Sequence, residues 1–391
     1  MFYKILHLML KIPVLQYIRF LFFCFDDVVL GFIKKPIKES DTKKILIVFP
    51  LALGDAVMMI GALESLIEFY SKKGYEITLL CQSSYEELFR KYVNDVIAVD
   101  IRGASVSPKK RILFLNNCRK KYYDIIIDPT GSEECTPGVF AVNAAVGDEK
   151  IGVLSARIKK YQLPNSVRNK IFDRVIYKEE SNIHRVRYYA EVFSEICGEK
   201  INPKLANLPI TNTLNLPEKY IVVFPSASMP IKRWPVENYV KISEKIIESV
   251  PIPIVLCGTG MDADIINVYK GMLTDNIRTI DFVGKTSVIS MIELIGKASL
   301  VLTNDTSVYH IAVATGRKTC CITGDYSHKM FIDYEADGLV SKEIVRAVMP
   351  NWSCADCENH CLKVEGETYP CVLANDIDTV WENVCALLGI N

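Results

Sequence analysis

Residues 301–316, Val-Leu-Thr-Asn-Asp-Thr-Ser-Val-Tyr-His-Ile-Ala-Val-Ala-Thr-Gly, constrain this chain more than any other stretch. Leu300 to Leu302 are apolar, as in a parallel strand covered on both faces. Asp305, Thr306 and Ser307 are residue types that cap helix N-termini. His310, Ile311 and Ala314 then share one helical face. Strand, tight turn and helix in that order form one unit of an open α/β sheet. The start of such a helix presents backbone N–H groups and a positive dipole end, which together hold a phosphate. Taken alone, the stretch fits an ordinary capped helix equally well.

The same order recurs along the chain. Residues 43–49 read as a buried strand, 50–55 as a turn and 56–70 as a helix. Further strands are expected near 76–81, 96–99 and 123–128, at 151 and over 171–177, followed by a helix at 184–197. Residues 202–219, with Pro203, Pro209 and Pro217, read as a linker. The pattern then restarts with a strand at 220–224, a loop to Pro235 and a helix over 236–249. Strands at 252–257, 277–282, 300–303 and 318–323 follow, and a helix over 376–388 closes the chain. The expected class is α/β: two Rossmann-like, doubly wound domains facing across a cleft. The expected boundaries are an extension over 1–42, a first domain over 43–210 and a second over 219–391.

Lys+Arg and Asp+Glu balance at 46 each, which argues against bulk nucleic-acid binding. Thirteen cysteines are present. Several, such as Cys81, Cys257, Cys320 and Cys321, sit singly in apolar runs, as reduced thiols of a cytosolic protein do. The first 35 residues are apolar with interspersed cations, but Lys11, Pro13 and Arg19 break the run, unlike a signal peptide. Arg19, Asp26 and Asp27 likewise interrupt the nearest approach to a membrane span. Two readings stay open: an amphipathic segment lying on the inner face of a membrane, or a helix packed on the following domain. Near the C-terminus, Cys354, Cys357, Cys361 and Cys371 are spaced either for a structural zinc ion or as unligated thiols.

Four clusters of chemically capable residues fall at expected strand ends. Asp55 follows Gly54. Lys232 lies in Ser226-x5-Lys232-Arg233-Trp234-Pro235. Asp262 and Asp264 follow the Gly258/Gly260 turn, and Asp305 to His310 form the last. Group transfer from a phosphate leaving group needs a carboxylate to take the proton of the attacking hydroxyl. It also needs cationic or N–H donors for the departing phosphate. Each residue has a plainer reading: Asp55 and Asp262 as helix caps, Lys232 as a solvated charge, His310 as a half-buried histidine.

Together these motifs resemble glycosyltransferase family 9, the ADP-heptose:lipopolysaccharide heptosyltransferases. Residues 44–48 with Leu53-Gly54-Asp55 resemble its opening strand and Gly-Asp turn, and residues 123–128 with Gly131 its mid-domain strand. Lys232-x-Trp234-Pro235 is similar to its Lys-x-Trp-Pro motif, and residues 304–312 to its Asp-Thr/Ser-Gly-x-x-His signature. The Cys-rich tail is similar to that of many members. The likeness spans residues 43–388. The family often has Arg where this chain has Phe49-Pro50, and Ser307 replaces the signature glycine.

The resemblance implies a GT-B fold and inverting, metal-independent transfer without a cofactor. The donor would be a nucleotide sugar such as ADP-heptose, and the acceptor a glycolipid or oligosaccharide. By position, Asp55 would be the general base, with Gly54 and Asp128 on the acceptor side. Lys232 would meet the donor phosphates and share catalysis. Ser226 would bind the donor, and Asp262 or Asp264 would match the acidic position near its nucleoside. The N–H groups around Thr306 and Ser307 would bind the diphosphate, with Asp305 and His310 shaping that turn. Other expectations are a same-fold transferase using another nucleotide sugar for capsule or O-antigen synthesis, and a non-catalytic sugar-nucleotide-binding protein.

Overall fold

The computed structural model describes residues 13–38, 42–131, 137–155, 165–178, 183–274, 278–326, 328–350, 361 and 368–390. The chain forms two compact units. One comprises Met1–Ala52, Leu63–Ser181 and Glu191–Ile201; the other comprises Leu53–Ala62, Asn182–Ala190 and Asn202–Asn391. Two short segments from the first half of the sequence therefore pack with the second unit. Gly61 shows why: the carbonyl of Lys204 occupies the space that a Cβ there would need.

The first unit is built on a six-stranded sheet. Its strands are β1 (Lys43–Phe49), β2 (Tyr75–Gln82), β3 (Asp95–Val99), β4 (Tyr122–Asp128), β5 (Val146–Ser155) and β6 (Arg174–Lys178). They run in the order β3-β2-β1-β4-β5-β6 with every pair parallel. β1 is the centre, and Ile45 to Phe49 are wholly buried. An unbroken apolar run is what a strand covered on both faces requires. The strand expected over 171–177 is shorter at its start, because Ile171 closes a helix, Asn165–Ile171, and is buried there.

The helix Pro13–Phe32 packs on this unit. Phe23 and Leu30 enter its core, and the Phe23 ring lies 4.5 Å from that of Phe140. Beside them Asp26, 1% exposed, accepts from Arg111 Nε at 2.9 Å and Nη2 at 2.5 Å. The packed-helix reading thus describes one face. The other exposes Phe25, Val28 and Phe32. Among the described residues no helix is long and apolar enough to cross a membrane.

The second unit repeats the plan. Its strands are β7 (Ile221–Phe224), β8 (Ile254–Leu256), β9 (Thr279–Asp281), β10 (Leu300–Asn304), β11 (Thr319–Ile322) and β12 (Val345–Val348). Their order is β12-β11-β10-β7-β8-β9, again all parallel. The edge strand β12 was not among the expected strands, for Arg346 and Ala347 leave it half-exposed and without a clear apolar run. The helix Val236–Ser249 follows Pro235, and its buried Tyr239, Val240, Ile242 and Ile246 make the apolar stripe of an amphipathic helix.

The linker is tied down by one carboxylate. Glu293, wholly buried in the helix Val288–Gly296, accepts from Thr211 Oγ1 (2.5 Å), Thr213 N and Oγ1 (2.8 Å each), Leu214 N (3.1 Å) and Lys297 Nζ (2.8 Å). Burial acts to raise its pKa, but Lys297 and the threonine donors outweigh it and hold the group well below the usual carboxylate range. A depressed folded-state pKa gives stability that is present above the free-glutamate value, about 4.3, and is lost as pH falls toward the lower one. Glu293→Gln should therefore be less stable than the native chain at pH 7 and lose less on acidification. Urea melts from pH 7 down to acid conditions measure both.

Candidate active site

In the second sheet the chain direction of the crossovers reverses between β10 and β7. Loops leaving the C-terminal ends of two such strands diverge, and ligands of open α/β sheets bind there. Ser226 and Lys232 lie on the loop after β7. Asp305, Thr306 and Ser307 follow β10 directly.

Asn304, wholly buried, stitches these loops together. Its Oδ1 accepts from Trp234 N at 3.0 Å, and its Nδ2 donates to the Ser226 carbonyl at 3.1 Å. Trp234 is itself buried, with its Nε1 donating to the Asn375 carbonyl at 3.0 Å and its ring set edge-on to Tyr239. Lys232, two residues before this anchor, reaches Asp305: its Nζ donates to Oδ2 at 2.7 Å. Tyr326 lies under the same ammonium, 4.9 Å from ring centre to Nζ, and its hydroxyl donates to Asp305 at 3.0 Å. Burial raises the Asp305 pKa, but Lys232 and His310 pull it below the usual value, so Asp305 is a charged, fixed partner.

Thr306 caps the helix Ser307–Ala314, accepting from Val308 N at 3.3 Å. His310 is buried in that helix, and its Nδ1 lies 2.9 Å from the Tyr334 hydroxyl. Burial pushes its pKa down to about 4, with Asp305 opposing and Lys232 assisting, so the ring is neutral near pH 7. The His184 ring lies tilted against Tyr334, 4.2 Å between ring centres, and is likewise pushed down to about 3, chiefly by burial.

The segment 53–62 joins this cluster. Gly54 sits against His310: a Cβ there would lie 2.8 Å from Cδ2 and 3.6 Å from the Ser307 Cα. Gly54 and Asp55 belong to the first turn of the helix Leu53–Ser71, whose N-cap is Ala52. Asp55 is therefore a first-turn acid rather than a cap, where the helix dipole favours its charge. Burial raises its pKa; Arg185 and then Lys232 lower it, and Asp305 raises it further. Asp55 thus lies in the combined field of two cations and a second carboxylate.

The remaining expected residues lie elsewhere or are engaged locally. The Ser226 hydroxyl donates to Asp262 Oδ1 at 2.6 Å. The other oxygen of Asp262 accepts from Thr259 N and Oγ1, both at 2.8 Å, making Asp262 part of a capping box. Asp264 is exposed in the first turn of the next helix. Asp128 belongs to the first unit, at the end of β4. It is buried with Oδ2 lacking a partner among the described residues, and burial outweighs its Thr130 bonds to push its pKa up to about 6. Cys354 and Cys357 lie outside the described residues. Cys371 is buried in the core of the second unit, and Cys361 packs at its edge. Among the described residues no group of three or more His, Cys, Asp and Glu is placed to hold a metal.

Residues 117–361, more than half of the chain, match the model of glycosyltransferase family 9 (heptosyltransferase). The chain belongs to this family. It is 31% identical over 119 residues to lipooligosaccharide heptosyltransferase 2 of Haemophilus influenzae, covering 29% of this chain and 34% of that protein. To the protein of the same name from Campylobacter jejuni serotype O:2 it is 24% identical over 326 residues, covering 82% of this chain and 93% of that one. In fold it resembles the glycosyl transferase family 9 protein of Veillonella parvula, with a TM-score of 0.69 at 15% identity over 90% of this chain and 98% of that chain. Two Rossmann-like domains with parallel six-stranded sheets are thus the GT-B arrangement of this glycosyltransferase family.

Three contributors to this candidate site escape a reading of the sequence. Arg185, which acts on Asp55, opens a helix more than a hundred residues downstream of it. Tyr326 and Tyr334 follow β11 in a segment without regular pattern. A run of basic residues, Arg185-x-Arg187, was the one available signal. The contact of Gly54 with His310 supplies a direct test. Gly54→Ala forces the buried ring to move, and overpacking of this kind costs about 1–3 kcal/mol. Urea denaturation should show a loss of that size, and Gly54→Ala/His310→Ala should recover part of it.

Proposed function

We propose that this family 9 chain is an inverting, metal-independent glycosyltransferase. It moves heptose, or a related sugar, from ADP-heptose to a lipopolysaccharide core or another cell-surface glycan. Residues 43–210 take the acceptor and residues 219–391 the donor. The enzyme works in the cytoplasm against the inner face of the membrane. The names of the relatives, lipooligosaccharide heptosyltransferases, support the acceptor class. The packing of Gly54 on His310 carries the reading, since it brings Asp55 into the same electrostatic neighbourhood as Lys232 and Asp305.

The chemistry follows from these groups. The Asp55 carboxylate takes the proton of an acceptor hydroxyl. The freed oxygen attacks the anomeric carbon from the side opposite the diphosphate. The bond from that carbon to the phosphate oxygen breaks, and the electron pair leaves with the nucleoside diphosphate. Attack opposite the leaving group inverts the anomeric centre. Lys232, held by Asp305, and the N–H groups opening the helix Ser307–Ala314 meet the developing negative charge. Ser226 and Asp262 border the nucleoside.

Asp55 must be ionised to act, and its pKa is raised, so the rate should fall as pH drops through that raised value. Asp55→Asn should reduce kcat by about 10²–10⁴-fold while leaving donor affinity within a few-fold. A variant that keeps full turnover would remove Asp55 from the mechanism. Lys232→Met should instead abolish stabilisation of the chain by the nucleotide. Thermal melts with ADP and with UDP then identify the nucleotide, since the preferred one raises Tm at lower concentration.

A further inference from the structure

A groove of about 850 Å³ lies at the N-terminal edge of the first sheet, where β1 and β4 begin. Its walls are the strap that follows the helix Pro13–Phe32, the start of β1, and the turn leading into β4. The strap contributes Lys34, Lys35 and Lys38. The opposite wall contributes Lys44, Arg119, Lys120 and Lys121, against a single lining carboxylate, Asp124. The transfer proposed above assigns no role to these residues.

Part of this charge is balanced locally. Lys38 pairs with Asp124 at 2.9 Å and with Asp148, and Lys121 with Asp95 at 2.8 Å. Lys34, Lys35 and Lys120 have no carboxylate partner among the described residues. Arg119 is the decisive group. It is 8% exposed, makes one long contact of 3.5 Å to the Ala144 carbonyl, and its Nε has no partner among the described residues. A buried guanidinium that has bonding capacity to spare and no carboxylate is costly, and an anion in the groove removes that cost. Nearby Lys150 responds to the same field. Burial pushes it down to about 8, Asp173 opposes, and Arg119 and Lys35 add to the depression.

The rim has a second character. Phe32 is 88% exposed and Ile37 79%, and both line the groove. Phe25 and Val28 extend the apolar surface along the free face of the helix. A soluble anion would account for the cations but not for the bare phenylalanines. An amphipathic face with cations beside it is what a headgroup–acyl boundary recognises.

We infer that this groove docks the chain on anionic phospholipid, with headgroup phosphates on Lys34, Lys35, Arg119 and Lys120 and with Phe25, Val28, Phe32 and Ile37 in the acyl boundary. The inference rests on the inner-membrane location proposed above and is independent of the sugar chemistry. Flotation of the full chain with vesicles tests it. Phosphatidylglycerol–phosphatidylcholine vesicles should carry the protein, and pure phosphatidylcholine vesicles should not. Lys34→Gln/Lys35→Gln/Lys120→Gln should lower the partition constant on the order of a hundredfold, at about fivefold per cation. Phe32→Ser should lower it several-fold, and millimolar pyrophosphate should not compete. Both variants should keep the native Tm and its shift with nucleotide, which separates lost docking from lost folding. Equal binding to both vesicle types, binding unaffected by the triple variant, or no binding to either overturns the inference. Competition by pyrophosphate with Phe32→Ser binding unchanged also overturns it, in favour of a soluble-anion site. Loss of turnover in Asp55→Asn with vesicle binding intact concerns the transfer reaction alone.

Discussion

The side-chain amide of Asn304 is the interaction on which the candidate site of the second unit depends. It is buried, and it both accepts and donates, so it ties the loop after β7 to the end of β10 at two points. An aspartate in its place would lose the donor, and a leucine both bonds, leaving the Trp234 amide and the Ser226 carbonyl unpaired where water cannot reach. Trp234 is held a second time by the Asn375 carbonyl, and Asn375 in turn donates to the Thr323 carbonyl at 2.8 Å. Two buried amides thus fix the frame from which Lys232 and Asp305 project.

Charge within that frame is closely matched. Asp305 spends its charge on Lys232 and Tyr326, which fixes the lysine ammonium at one place. His310 stays neutral because burial disfavours its cation, so it shapes the wall against Gly54 without adding positive charge. Asp55 is the carboxylate left with its pKa raised, under the opposing influence of Arg185 and Lys232. The transfer proposed above asks for a carboxylate not so strongly paired that it cannot take a proton.

Much of this could be read from residue order. Apolar runs such as 45–49 and 300–302 announced buried parallel strands, because a strand covered on both faces admits few polar residues. Their repetition after the prolines of 202–219 announced a second doubly wound domain. Strand β12 was hidden because an edge strand is only half buried and carries Arg346. Helix Leu53–Ser71 begins earlier than the pattern suggests, since glycine and aspartate are weak helix formers and its N-cap is an alanine without a capping side chain. Asp262 was legible as a candidate helix cap near a glycine turn, and the structure adds Thr259 as its partner in a capping box. Arg185 was invisible as a neighbour of Asp55 because their proximity is a product of tertiary folding, not of spacing.

The thiols carry one more consequence. Burial pushes those of Cys81, Cys257 and Cys320 up to about 12, where thiolate is scarce and alkylating reagents react slowly. Among the described cysteines Cys24 is the exposed one, and it lies one turn before Val28 on the helix Pro13–Phe32. The native chain therefore carries its own attachment point for a fluorophore, positioned beside its bare apolar face. No engineered cysteine is needed to watch what that surface meets.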